Sequence, residues 1–332
     1  MKHIVFINDL LDRFQKWGET PQGRRMWKLA GLVFTIGISL YLAYKLSLIG
    51  WAEVWRALPT TPLFYLLMLC IFFNLPLFQL LIYRVAWNKQ FPPWRLFLAL
   101  LNKRALDKDV VGYSGEVYLF AWAQKHLGLP RTELLHTQKD IIILSSAAFT
   151  VVSLGLLLLF FTMGWIKFPH DWETPGILQL TSITLLIVLV AGIFFKLKGR
   201  LIFLPTSQAA RIFFLHICRL LVVQILQMIQ WATVLPAVDW GSWVTLLSAQ
   251  IIVTCIPFLP NRDLIFLGTG LELSALLNVS APDMAGMLLT ASVMSKVLNL
   301  LFFNMAFFIS HRHKKARPEE SLLPENVNRI TK

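Results

Sequence analysis

The sequence predicts an all-α polytopic membrane protein with about six full transmembrane helices and two re-entrant helical hairpins, set out as an inverted repeat. Three observations carry this expectation. Of 332 residues, 56% are hydrophobic and 15% charged, a balance far from that of a soluble domain. The apolar residues gather in long runs, several of which reach the roughly 20 residues a spanning helix needs. The formal net charge of +13 gathers in alternate connections between those runs, as the positive-inside rule requires and as a nucleic-acid-binding face would not. Once the runs are assigned as spans, no stretch long enough for a soluble catalytic domain remains, so any chemistry must sit in the membrane or at its surface. Cys70, Cys218 and Cys255 lie in apolar segments without metal-ligand spacing and read as small packing residues.

Residues 1–26 form an N-terminal segment. Its first part sets Ile4, Ile7, Leu10, Leu11, Phe14 and Trp17 at helical spacing against Asp9, Asp12, Arg13 and Lys16, the pattern of a helix lying in the membrane interface or packed on a partner. Residues 27–310 form the transmembrane domain. The expected spans are 27–47, 62–87, 141–163, 177–197, 211–235 and 284–310, and the second carries Asn74, Pro76 and Gln79 at its middle, where a kink is expected. Residues 311–332 form a basic, polar tail. Tryptophans 27, 51, 87, 94, 165, 240 and 243 fall near span ends, where an aromatic belt belongs.

The stretch 102–122 breaks the apolar pattern. Lys103, Arg104, Asp107, Lys108 and Asp109 follow an apolar lead-in, and Gly112 and Gly115 then bracket a break before Glu116 and a second apolar run. This reads as two half-helices folded at a glycine hinge, tolerated at membrane depth only where protein or a water-filled cavity covers the broken backbone. The alternative is a cytoplasmic loop beside an interfacial helix. Residues 243–256 and 264–277 are both too short to cross, and between them lies Pro257-Phe-Leu-Pro260-Asn-Arg262-Asp263, so a second hairpin is expected there. Asp109 precedes Gly112, Gly115 and Glu116 in the first hairpin, and Asp263 precedes Gly268, Gly270 and Glu272 in the second. Lysine and arginine asymmetry places both termini in the cytoplasm and makes the hairpins enter from opposite sides.

Polar residues within the spans mark candidate sites. His216, Arg219, Gln224, Gln227 and Gln230 fall within an arc of about 140° at 3.6 residues per turn. An arginine facing lipid at mid-bilayer costs at least about 2.5 to 3.5 kcal/mol on insertion scales, so this stripe is expected to face inward. Ser292, Ser295, Lys296 and Asn299 repeat the pattern in the last span. Helix-helix hydrogen bonding alone would account for the glutamines. A buried cation needs a specific partner, and Glu116, Glu272, Asp263 and Asp140 are the acids available. Glu116 opens the returning half-helix, where a carboxylate is also favoured simply as a cap.

No phosphate-cradling loop, metal-ligand spacing or nucleophile elbow is present, so neither a metal nor another cofactor is expected.

At Gly112-Tyr-Ser-Gly-Glu116, and again at 257–272, the chain resembles the lysylphosphatidylglycerol synthase transmembrane region family of flippase-like integral membrane proteins. Gly115 and Glu116 match the family's first motif; at the second, Pro260-Asn-Arg-Asp replaces a double glycine, with Gly268, Gly270 and Glu272 following later. The resemblance implies translocation, across a bacterial inner membrane, of a lipid that another protein makes. On that reading the hairpins meet near the midplane and line a polar path. Arg219, Lys296 and Arg262 attract a phosphate headgroup, Arg104 meets it at the cytoplasmic entrance, and Glu116 and Glu272 steady those cations or contact a headgroup amine. Asp109 belongs to the same path, with Asp140, Asp263, Gly112, Gly115 and Gln227 supporting it. A lipid-synthesising enzyme and a second copy of the chain are the expected protein partners. Two other classes stay open: an enzyme or enzyme subunit acting on a lipid-linked sugar through Asp107, Asp109, Glu116 and a magnesium ion, and a structural partner of an envelope-lipid synthase.

Overall fold

The computed structural model describes residues 50–87, 92–109, 114–165, 202–256 and 261–315, together with Leu259 and part of 29–48. Every secondary-structure element among these residues is a helix. In chain order they are α1 (Trp51–Arg56), α2 (Pro62–Trp87), α3 (Pro93–Asp109), α4 (Ser114–Leu127), α5 (Arg131–Thr162), α6 (Thr206–Val234), α7 (Trp240–Cys255), α8 (Arg262–Leu273) and α9 (Ala281–Lys315). Four stretches are long and apolar enough to cross a membrane: Pro62–Trp87, Arg131–Thr162, Thr206–Val234 and Ala281–Asn304. The chain is therefore an all-helical membrane protein. Of the other two expected spans, 177–197 lies outside the described residues, and 27–47 is described only in part, helical at 39–44 and 46–48. At 16 residues, α7 is about 24 Å long, short of the roughly 30 Å hydrocarbon core.

Two compact units divide the chain, and among the described residues the divisions fall within α2, α5, α6 and α9. In the first unit (Met1–Phe64, Leu156–Gly176 and Met228–Ser292), α7 and α8 form the second hairpin. Asp239 starts α7, accepting from the Ser242 amide at 3.0 Å and its hydroxyl at 2.9 Å. Asn261 turns the chain into α8 with φ 48°, a left-handed conformation that asparagine tolerates better than most residues. Trp243 and Trp231 are fully buried, their rings 6.1 Å apart. Trp243 is thus a core residue of this unit rather than part of an aromatic belt, as Trp87 is of the other. Gly270 packs so closely on α9 that a Cβ there would lie 2.4 Å from Leu288 Cδ1.

In the second unit (Tyr65–Gly155, Ile177–Gln227 and Val293–Lys332), α3 and α4 form the first hairpin, and α3 is enclosed. Asn102, Lys103 and Arg104 are consecutive and all buried; successive positions turn by about 100°, so three in a row cover more than half the helix circumference. Leu96, Leu100 and Ala105 are buried as well. The segment 102–109 is therefore helix with a buried start rather than loop. Around α3, the residues Ile82, Tyr83, Leu119, Leu134, Ile141 and Ile212 build the apolar core.

Candidate site at the break of the first hairpin

Lys103 stands at the centre of this site. Its ammonium lies 2.7 Å from Glu116 Oε1 and 3.0 Å from Asp107 Oδ2, and its side chain is 5% exposed against 21% for Glu116 and 27% for Asp107. Lys103 and Asp107 are one turn apart on α3, the spacing at which helical side chains meet. Glu116 comes from the first turn of α4, across the break. A lysine taken out of water is tolerated only when opposite charge and hydrogen bonds replace its hydration, and here two carboxylates do so.

Packing at the break forces this geometry. The Gly115 amide donates to Asp107 Oδ1 at 2.8 Å, and the Ser114 hydroxyl donates to the Leu106 carbonyl at 2.9 Å. Asp107, not Glu116, therefore satisfies the amide opening α4, and Glu116 is left to reach Lys103. A Cβ on Gly115 would lie 2.2 Å from the Lys103 carbonyl oxygen, so only glycine lets the two backbones come this close. The Glu116 carbonyl accepts from Gln138 Nε2 of α5 at 3.2 Å, the Tyr83 hydroxyl lies 3.5 Å from Glu116 Oε2, and Asn102 Nδ2 donates to the Tyr118 hydroxyl at 3.0 Å.

Arg104 points elsewhere. It is buried, donates from Nη1 to the Phe72 carbonyl at 2.8 Å and from Nε to Asn299 Oδ1 at 3.3 Å, and rests 4.2 Å above the Phe72 ring. It therefore ties α3 to α2 and α9 rather than standing at an open entrance.

The stripe on α6 turns inward as expected. His216 and Gln230 are buried and Arg219, Gln224 and Gln227 half-buried, whereas Phe214, Ile225 and Ile229 on other faces are exposed. The acid expected beside Arg219 is not found: among the described residues Arg219 forms no ion pair, and its carbonyl accepts from Asn74 Nδ2 at 3.1 Å. Lys296 is exposed and likewise forms no ion pair among the described residues. Its long stem lets the ammonium sit at the surface without a buried partner. Asp140, expected as a counter-ion for Arg219 or Lys296, is fully buried, lies 3.4 Å from the Lys139 ammonium instead, and accepts from the backbone amides of Phe203 at 2.6 Å and Leu204 at 2.7 Å; it pins the approach to α6.

The second hairpin does not repeat the first in detail. Gly268, Gly270 and Glu272 lie inside α8 rather than at its break. Glu272 is exposed and accepts from the Tyr41 hydroxyl. Arg262 and Asp263 are exposed, and Arg262 donates to the Ile256 carbonyl at 3.3 Å. The roles expected of the Asp109 carboxylate and of Gly112 lie outside the described residues.

Sequence reading missed Lys103 as the centre of the site, and with it Gln138 and Tyr83; Asn299 was singled out on the last span, but not as the partner of Arg104. The four-residue step from Lys103 to Asp107 was the one available signal. The bonds from Gln138 and to Asn299 span 22 and 195 positions, which no local pattern reports. Compared with protein-family models, curated proteins and solved structures, the chain matches none.

Proposed function

We propose that the protein moves a phosphate-bearing lipid across a bacterial inner membrane, without changing it chemically. Both termini lie in the cytoplasm, six helices cross, and the two hairpins re-enter from opposite sides. The observation that carries this reading is the Lys103–Glu116–Asp107 group. An apolar chain that keeps three ionised side chains around a broken helix holds charge where lipid-facing positions exclude it. A headgroup crossing the bilayer needs such a place, since its charge cannot pass through hydrocarbon unpaired. Glu116, partly exposed at the break, is the member able to exchange Lys103 for a headgroup amine.

The same geometry weakens the magnesium-enzyme reading, because Asp107 is already engaged by Lys103 and by the Gly115 amide. Purified protein in liposomes tests the proposal. Lipid that crosses unchanged supports translocation; lipid that is chemically altered makes the protein an enzyme; neither leaves the role of a structural partner.

A further inference from the structure

The outward face of α9 carries a lysine among aliphatic side chains. Leu298 is buried in the cluster of Met68, Phe72 and Leu101, and Asn299 accepts from Arg104, so these positions turn inward. Val293, Lys296, Val297, Leu300, Leu301 and Asn304 are all exposed. Steps of three and four residues place them on one face of the helix.

The depth of Lys296 follows from contacts within the second unit. Arg104 donates both to Asn299 Oδ1 and to the Phe72 carbonyl, and the rings of Phe72 and Phe302 lie 5.5 Å apart. Phe72 is the eleventh of the 26 residues of α2, so this level of α9 matches the middle of a helix long enough to span. Lys296 is one turn from Asn299, a rise of about 4.5 Å. Toward the basic end of α9 it stands 15 residues before His311, about 22 Å along the axis. That exceeds half of a hydrocarbon core roughly 30 Å thick, and a four-carbon stem does not bridge it. The surface that the ammonium reaches therefore faces hydrocarbon, and among the described residues no acid or hydrogen bond meets it.

A cation at that depth is stable only beside an anion. Three kinds of occupant fit an apolar membrane face, and charge decides among them. Two copies of one multi-pass chain share their orientation, so a twofold pairing through α9 sets Lys296 against Lys296 at equal depth. Phospholipid phosphates at rest lie in the headgroup layers, outside the hydrocarbon. A helix of another membrane protein holds a carboxylate at the midplane permanently, and Val293, Val297, Leu300 and Asn304 recur at the four-three-four spacing of a helix-packing seam.

We infer that this face of α9 is the docking surface for a spanning helix of a different membrane protein, one that carries an aspartate or glutamate at mid-depth to pair with Lys296. The aliphatic row supplies the packing, and Asn304 adds a hydrogen-bonding position about two turns farther along. The surface rests on α9 crossing a membrane and not on lipid translocation.

The test places a photocrosslinking amino acid at Val293 or Leu300 of the full chain in its native membrane, with Phe214 on α6, also exposed, as the control position. Light is expected to join the two α9 positions, and not the control, to one membrane protein with an acid near the middle of a spanning helix. Lys296→Glu should lower that yield about tenfold or more, and changing the partner's acid to lysine should restore it. Lys296→Met should lose the adduct as well, while the purified chain keeps a thermal midpoint at or above the parent value; this separates docking from a structural role. An adduct of the chain with itself, adducts with lipid alone, a partner without such an acid, an equal yield from Phe214, or no rescue by the exchanged charges would each overturn the inference.

Discussion

Glu116 of α4 lies 2.7 Å from the ammonium of Lys103 in α3, and this ion pair closes the first hairpin across its break. The lysine is the more buried partner, so the two residues should respond differently to substitution. Lys103→Met leaves two carboxylates facing each other without their cation and should lower the thermal midpoint more than Glu116→Gln, which leaves Asp107 in place. Breaking a fully buried pair costs about 3 to 5 kcal/mol; with Glu116 partly exposed, roughly half that is expected. Combining both substitutions should cost less than their sum, because the second removes a charge the first left unpaired. Strict additivity would mean that the pair contributes no coupling.

Gly115→Ala separates close packing from ordinary helix chemistry. Its Cβ would meet the Lys103 carbonyl oxygen at 2.2 Å, whereas the nearest atom to a Cβ on Gly268 is a side-chain carbon at 3.5 Å. The first substitution should destabilise by about 1 to 3 kcal/mol or more through overpacking, while the second should be near neutral. Thermal unfolding in detergent reads both.

Asp140→Asn should act on the fold and not on transport. The carboxylate holds the Phe203 and Leu204 amides, and exchanging charged for neutral acceptance should cost about 1 to 2 kcal/mol. The translocation rate per folded molecule should stay at the parent value. A drop in that rate at an unchanged thermal midpoint would place Asp140 on the lipid's route.

Much of this arrangement was readable in the sequence. The second span was placed at 62–87, the bounds of α2, because a mostly apolar run between Pro62 and a basic turn leaves little choice. The α6 stripe was legible from angular spacing alone. The ion group was not. Lys103 sits among five charged residues within 103–109, a stretch that resembles a solvated turn, and its burial depends on α2, α4 and α5 closing around α3. The acidic partner expected for Arg219 is not found among the described residues for a related reason: burial of a cation was legible, but what satisfies it depends on contacts far apart in sequence. Glu116 and Glu272 looked equivalent from neighbouring glycines, yet one faces a lysine and the other a tyrosine hydroxyl.

Membrane placement of the hairpins is open to direct labelling. Val117 is 70% exposed on α4, one residue beyond Glu116, and Asn261 is exposed at the head of α8. On the proposed re-entrant placement, single cysteines at these positions, in a version without the three native ones, should react slowly with an impermeant maleimide from either side, because both lie out of reach of bulk water. Rapid labelling at position 117 from the cytoplasmic side would make the first hairpin a surface feature.

The central claim, that the charge of Glu116 serves the passing lipid, is tested most directly by one rate. Parent and Glu116→Gln protein, matched for amount and folded fraction, are placed in liposomes with a fluorescent phospholipid, and its crossing is followed by quenching from outside. Glutamine keeps the shape and much of the hydrogen bonding, and Asp107 continues to cap α4, so the fold should persist while translocation is nearly lost. Crossing at close to the parent rate would contradict the claim and reduce Glu116 to a structural partner of Lys103.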